Sequence, residues 1–120
     1  MNHPEDDIQR AVAQALDLAE QAARGTEREF RWWHTPNGGR RGKAEAGRFK
    51  GLGVKPGIPD ILLLPRSGIL DALELKAPGR KPTVDQREFL SFVTSIGGRA
   101  TWVDSLDDAL AVLRKWRYLK

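Results

Sequence analysis

Ile61-Leu62-Leu63-Leu64 is an unbroken apolar run set between Pro59 and Pro65. A run of this kind reads as a short strand buried on both faces, since a half-exposed strand alternates apolar with polar residues. Pro65-Arg66-Ser67-Gly68 follows it as a turn. Leu70 to Lys76 is the next strand, and Ala77-Pro78-Gly79-Arg80 breaks it. The centre of the chain is therefore a hairpin with a buried arm, and the other elements must cover it.

Those elements can be read on either side. Pro4 suits the first turn of a helix, and Glu5, Asp6 and Asp7 are favourable at its positive end. Ile8, Ala11, Val12, Ala15, Leu16 and Ala19 recur at helical spacing, which predicts a helix from about Pro4 to Arg24, with Gly25 as its stop. Glu29 to His34 is short and aromatic-rich, a strand. Pro36 to Gly57 is Gly-rich and basic and reads as a long loop. After the hairpin, Thr83 and Gln86 form a capping-box pattern ahead of Val84, Phe89, Leu90, Val93 and Ile96 at helical spacing. Gly97-Gly98 ends that helix, Ala100 to Val103 is a strand, and Ser105 with Asp108 caps a last helix carrying Leu106, Ala109, Leu110, Leu113 and Trp116. The second hairpin strand, the middle helix and the Ala100–Val103 strand make a βαβ unit, which is a right-handed parallel crossover. The expected fold is α/β, with a central mixed sheet flanked by helices, in a single domain over residues 1–120.

With 120 residues, 40% of them hydrophobic, the chain can bury a modest core without a covalent staple. It has no Cys and only two His, which excludes a disulfide framework and a thiolate zinc site. The N-terminus is acidic and lacks an apolar stretch, so no signal peptide is expected. No apolar run approaches the roughly 20 residues of a membrane helix. A cytoplasmic setting fits. The net charge of +4 is unevenly spread. Arg40, Arg41, Lys43, Arg48, Lys50 and Lys55 face a single acid, Glu45, in the same window. Such a patch suits a phosphate backbone, although a solvated loop would look the same.

The chemistry sits at the hairpin's open end. Folding it about Ser67 sets Leu64 opposite Leu70 and Asp60 opposite Glu74. Directly opposed residues share one face, with Cβ atoms ~5 Å apart. Side chains alternate along a strand, so Lys76 joins that face. Two opposed carboxylates repel unless a cation lies between them. A hard cation such as Mg²⁺ takes oxygen ligands and binds substrate phosphate, and it lowers the pKa of a bound water. Lys76 would orient or deprotonate that water and offset charge on the attacked phosphate. The competing reading is a surface salt bridge between Lys76 and the acids. Against it, Asp60 stands at the mouth of an apolar strand, where an unpaired charge is costly.

These residues resemble the PD-(D/E)xK nuclease superfamily, and within it the VRR-NUC branch. The resemblance runs through Gly57-Ile58-Pro59-Asp60, Glu74-Leu75-Lys76, Gly79-Arg80 and Gln86. Upstream, Glu5-x-x-Ile8-Gln9 is similar to the branch's N-terminal helix motif, and Pro36-Asn37-Gly38 to its pre-hairpin loop. The element order matches the restriction-endonuclease-like αβββαβ core. The resemblance implies a Mg²⁺- or Mn²⁺-dependent DNA endonuclease. Asp60 and Glu74 would be metal ligands, with the Leu75 carbonyl as a third and Glu5 completing the acidic site. Lys76 would be the catalytic lysine and Gln86 a supporting residue. Glu5 also reads as a helix-dipole partner and Gln86 as a cap. Arg80, after the second hairpin strand, joins the basic residues of the loop as a DNA contact. One departure is Asp104, where the branch often carries a basic residue. Stand-alone members resemble homodimers that cut branched DNA such as Holliday junctions. The alternatives are a non-catalytic DNA-binding module of the same fold, a flap nuclease and a restriction-type enzyme.

Other features carry less. Gly42-Lys43 lacks the Ser/Thr and the first Gly of a phosphate loop. Of Trp32 and Trp33 one must face the core, leaving the other for base stacking. His34 reads as a structural residue in preference to a phosphate contact. Trp116, Tyr118 and Leu119 belong to the core or to a dimer surface.

Overall fold

The computed structural model describes residues 3–36 and 43–120. The elements run α1 (Pro4–Ala23), β1 (Phe30–His34), α2 (Lys43–Gly51), β2 (Ile61–Pro65), β3 (Asp71–Leu75), α3 (Val84–Ser95), β4 (Ala100–Val103) and α4 (Leu106–Lys115). The sheet order is β1-β2-β3-β4, with antiparallel pairing from β1 to β3 and a parallel β3–β4 pair. The mixed α/β fold and its αβββαβ order are those expected from the sequence, with α2 inserted and α4 appended.

The β2–β3 hairpin turns where the Pro-Arg-Ser-Gly segment predicts. Gly68 donates its N–H to the Pro65 carbonyl at 2.9 Å and adopts φ 77°, which costs glycine nothing. Ile61 pairs with Leu73, Leu62 with Ala72 and Leu63 with Asp71. This is the register about Ser67. Continued one residue outward, it sets Asp60 against Glu74.

Alternation along the strands divides the core in two. Ile61, Leu63, Leu73 and Leu75 face α1 and α4, against Ile8, Val12, Leu16, Ala109 and Leu113. Leu62 and Ala72 face α3, against Leu90 and Val93. β3 is buried along its whole length. β2 departs from the expectation at one residue: Leu64 is 41% exposed. α3 packs over β3 and β4, so its cover does not reach the position where Leu64 pairs with Arg31 of the edge strand β1. Trp32 packs against the α1/α4 core, with its indole N–H on Asp17 at 3.0 Å, while Trp33 is exposed. Trp116 and Tyr118 are core residues, and Leu119 packs against that core.

The segment from Pro36 to Gly57 is not all loop, because Lys43–Gly51 is helical. It has no apolar stripe for periodicity to detect. What favours helix there is the intrinsic propensity of Ala, Glu, Lys and Arg. Arg40 and Arg41 lie outside the described residues, as do Asn37 and Gly38.

A second polar feature, invisible in the sequence, ties the C-terminus to the sheet. Asp71 is 2% exposed. Its carboxylate accepts from the Arg99 backbone N–H at 2.8 Å, Arg99 Nη2 at 2.7 Å and the Tyr118 hydroxyl at 2.6 Å. Tyr118 stacks edge-on against Phe30, and the Arg99 guanidinium lies over the Trp116 ring.

Candidate active site

Gly57-Ile58-Pro59-Asp60 delivers Asp60 to the start of β2. Gly57 adopts φ 80°, and a Cβ built there would lie 2.7 Å from the backbone carbonyl carbon of Asp85. The segment therefore crosses the first turn of α3 at a separation that only glycine permits. Pro59 is fully buried beyond it. Gly57→Ala is expected to cost on the order of 2–4 kcal/mol, combining a left-handed backbone with overpacking. Gly53→Ala is its control: φ is 96°, yet nothing lies within 4 Å of the added methyl. Urea denaturation of both variants checks this, and equal losses would remove the close approach as the cause.

Asp60 is held at both ends. Its Oδ2 accepts the Leu75 N–H at 2.9 Å, so a side chain one residue before β2 takes an amide of β3 just past the end of the ladder. Its carbonyl accepts from the Thr35 N–H at 3.0 Å and lies 2.9 Å from His34 Nδ1. Glu74, across the hairpin, is 2% exposed, and its Oε2 is buried without a hydrogen-bond partner. Burial, followed by the adjoining Asp60 carboxylate, pushes the Glu74 carboxyl up to about 9. Burial beside a second carboxylate therefore favours the neutral form of Glu74 as long as no cation offsets its charge.

Lys76 is half-buried next to them and is anchored through its backbone N–H on the Val103 carbonyl at 2.8 Å. Its charge acts on both Glu74 and Glu5. It takes part in none of the four ion pairs found among the described residues, so a surface salt bridge does not account for it. Glu5 arrives from the first turn of α1. Burial, then the Asp60 charge, raise its pKa, and Lys76 and the Ala77 amide oppose the rise. Glu5, Asp60 and His34 line one cavity of about 530 Å³. Glu5 does not close a third carboxylate around a point: among the described residues no three His, Asp or Glu side chains come together tightly enough to hold a metal.

Other expected site residues lie further out. Gln86 completes a capping box, accepting the Thr83 N–H at 2.8 Å while its own N–H reaches Thr83 Oγ1 at 3.2 Å. Arg48, Lys50, Lys55 and Arg80 are exposed. Of Lys43, only the backbone, at the start of α2, is described. Asp104, the departure from the basic residue, accepts the Gly79 N–H at 3.1 Å and so pins the turn after Lys76 to the end of β4. Sequence reasoning missed that role, and it named Gln9 only within the N-terminal helix motif, without a site role, although its buried Oε1 lacks a partner at the wall of the same cavity.

The donors suit a hard cation. They are two carboxylates and a backbone carbonyl, and the buried Oε2 of Glu74 lacks a partner that such a cation would supply. A strand residue turns its N–H and C=O toward the same neighbour, so the Leu75 carbonyl is directed to the Asp60 side along with its N–H.

The fold thus defined is a four-stranded mixed α/β sheet, with helices on both faces and, at the mouth of its hairpin, a buried Glu74 set against a half-buried Asp60. No family model and no curated protein matches the chain. A solved structure described as a "VRR_NUC domain protein" shares the fold, with TM-score 0.67, 22% identity, and coverage of 99% of this chain and 92% of the other. None of the helices among the described residues is long and apolar enough to cross a membrane.

Proposed function

We propose that the chain is a VRR-NUC nuclease of the PD-(D/E)xK superfamily, a Mg²⁺- or Mn²⁺-dependent endonuclease for branched DNA such as Holliday junctions. The observation that carries this is the Asp60–Glu74 pair, in which the buried Glu74, with its Oε2 unpartnered, is set against the half-buried Asp60. An ionised carboxylate buried against a second one costs folding free energy that a bound cation would offset. A fold shared with a VRR_NUC domain protein supports the reading.

The cation, when bound, polarises the phosphodiester and acidifies a water. Asp60, Glu74 and the Leu75 carbonyl would hold it. The Lys76 ammonium would counter the charge developing on the attacked phosphate and orient the water. Its place beside Glu74 and Glu5, on both of which its charge acts, favours that charge-stabilising role. Glu5 would act from the cavity side, through the cation's remaining waters. Arg48, Lys50, Lys55 and Arg80, with Arg40, Arg41 and Lys43, would carry the DNA backbone. Symmetric cutting of a junction needs two sites, which a two-fold homodimer supplies. A cytoplasmic setting remains part of the proposal.

The test is cleavage of a labelled four-way junction, a flap and plain duplex, with and without Mg²⁺ or Mn²⁺. Metal-dependent cutting of the junction is expected, with Lys76→Ala slower by about 10²–10³-fold. Neutralising Arg48, Lys50 and Lys55 should reduce the salt slope of binding by roughly 0.9 per lost phosphate contact. If nothing is cut, while Asp60→Ala binds DNA as the wild type does, the chain is a binding module. A sequence-dependent ladder on plain duplex would make it a restriction-type enzyme instead.

A further inference from the structure

We infer that His34 is a positioning residue for the cation site, acting through the backbone of Asp60; this rests on the metal-site reading above. The β1–β2 ladder ends with His34 paired to Ile61. Asp60 lies one residue beyond, at the wall of a cavity of about 530 Å³ that His34, Glu5 and Gln9 also line. Pro59 and Ile61 on either side are fully buried, while Asp60 itself is half-buried at the cavity wall, so hydrogen bonds add to packing in setting its backbone. Two reach the Asp60 carbonyl: the Thr35 N–H at 3.0 Å and His34 Nδ1 at 2.9 Å. A carbonyl oxygen only accepts, so Nδ1 carries the proton in either charge state of the ring.

The consequence for the site is geometric. Asp60 Oδ2 is committed to the Leu75 N–H. The other carboxylate oxygen is left for the cation, and its placement against Glu74 follows the Asp60 backbone. His34 fixes that backbone through the Asp60 carbonyl, using a side chain that is itself exposed. Outer contacts of this kind typically change metal affinity by about 10–100-fold when removed. Because His34 is outside the core, its loss should leave the fold intact. His34 also differs from the family's acidic and lysine positions, since it touches neither carboxylate in the described contacts.

The experiment is a titration of the metal-free protein with MnCl₂ alone, followed by electron paramagnetic resonance of free Mn²⁺. His34→Ala is expected to bind Mn²⁺ about 10-fold more weakly, with an unchanged thermal midpoint in the absence of metal. His34→Asn places an amide N–H donor where Nδ1 stood and should restore most of the affinity. A purely structural role would instead lower the thermal midpoint and leave affinity alone. If His34→Ala binds Mn²⁺ like wild type, or if the Asn variant is as impaired as the Ala variant, the inference is wrong and the metal site stands. If wild-type protein binds no Mn²⁺, both fall together.

Discussion

Asp71→Ala is expected to remove about 2–4 kcal/mol of stability, a large share of what a domain of this size holds. The carboxylate is buried in β3 and satisfies three donor groups from two other parts of the chain. Deleting it leaves the Tyr118 hydroxyl buried without its partner and frees the Arg99 backbone N–H just before β4. The Arg99 side chain is 45% exposed and recovers water, which keeps the loss below that of a fully buried ion pair. Tyr118→Phe should be milder, about 1 kcal/mol, because Arg99 still neutralises the carboxylate. Burial, and then the hydrogen bond to Asp71, hold the Tyr118 phenol well above its ordinary 10.0. Its contribution is complete below pH 10.0 and declines at higher pH, where the unfolded phenol ionises and the folded one does not. Urea denaturation from pH 7 to 11 measures both effects. A flat profile in wild type, or no loss in Asp71→Ala, would show that this network does not stabilise the fold.

Glu74→Gln should move stability and activity in opposite directions. The folded Glu74 carboxyl is raised from 4.5 to about 9, by burial first and then by its hydrogen bond to Asp60 and the Asp60 charge. A raised carboxyl contributes fully below 4.5, and its contribution is lost as pH climbs toward 9. Metal-free protein should therefore lose on the order of a few kcal/mol between those values. The neutral amide introduced by Glu74→Gln removes that loss and can donate to Asp60, so the metal-free variant should be the more stable at pH 8. Saturating Mg²⁺ should rescue the wild type, by about 2.7 kcal/mol at a hundredfold excess over Kd, and leave the variant unmoved. Cleavage should fall by about 10²–10³-fold, since a ligand to the cation is gone. Thermal melts across pH, with and without Mg²⁺, decide the point. Equal pH profiles for both proteins would mean that the acidic pair is not strained.

Much of the fold was legible because local signals agreed. Proline and acids started α1, a capping box started α3, and Ser105 capped α4, its side chain accepting the Asp108 N–H. The site's central pair was legible for the same reason. A hairpin centred on Ser67 has one register that keeps the apolar faces buried, and that register opposes Asp60 to Glu74. α2 was missed because a short basic helix without an apolar stripe leaves no periodic trace. Asp71 read as an ordinary strand residue, because its partners lie 28 and 47 positions away.

The amino-acid sequence by itself determined the strand pairing at the hairpin, the α/β class and the meeting of Asp60, Glu74 and Lys76 on one face. These follow from alternation and turn chemistry, which act over a few residues. Only the tertiary structure decided that Glu74 is buried with an unpartnered oxygen, and that Glu5 comes near without completing a three-carboxylate cluster. It likewise placed His34 on the Asp60 carbonyl and Asp104 on the turn behind Lys76. Those placements depend on how helices and strand ends from distant parts of the chain pack around the sheet, and packing of that kind has no short-range period to read.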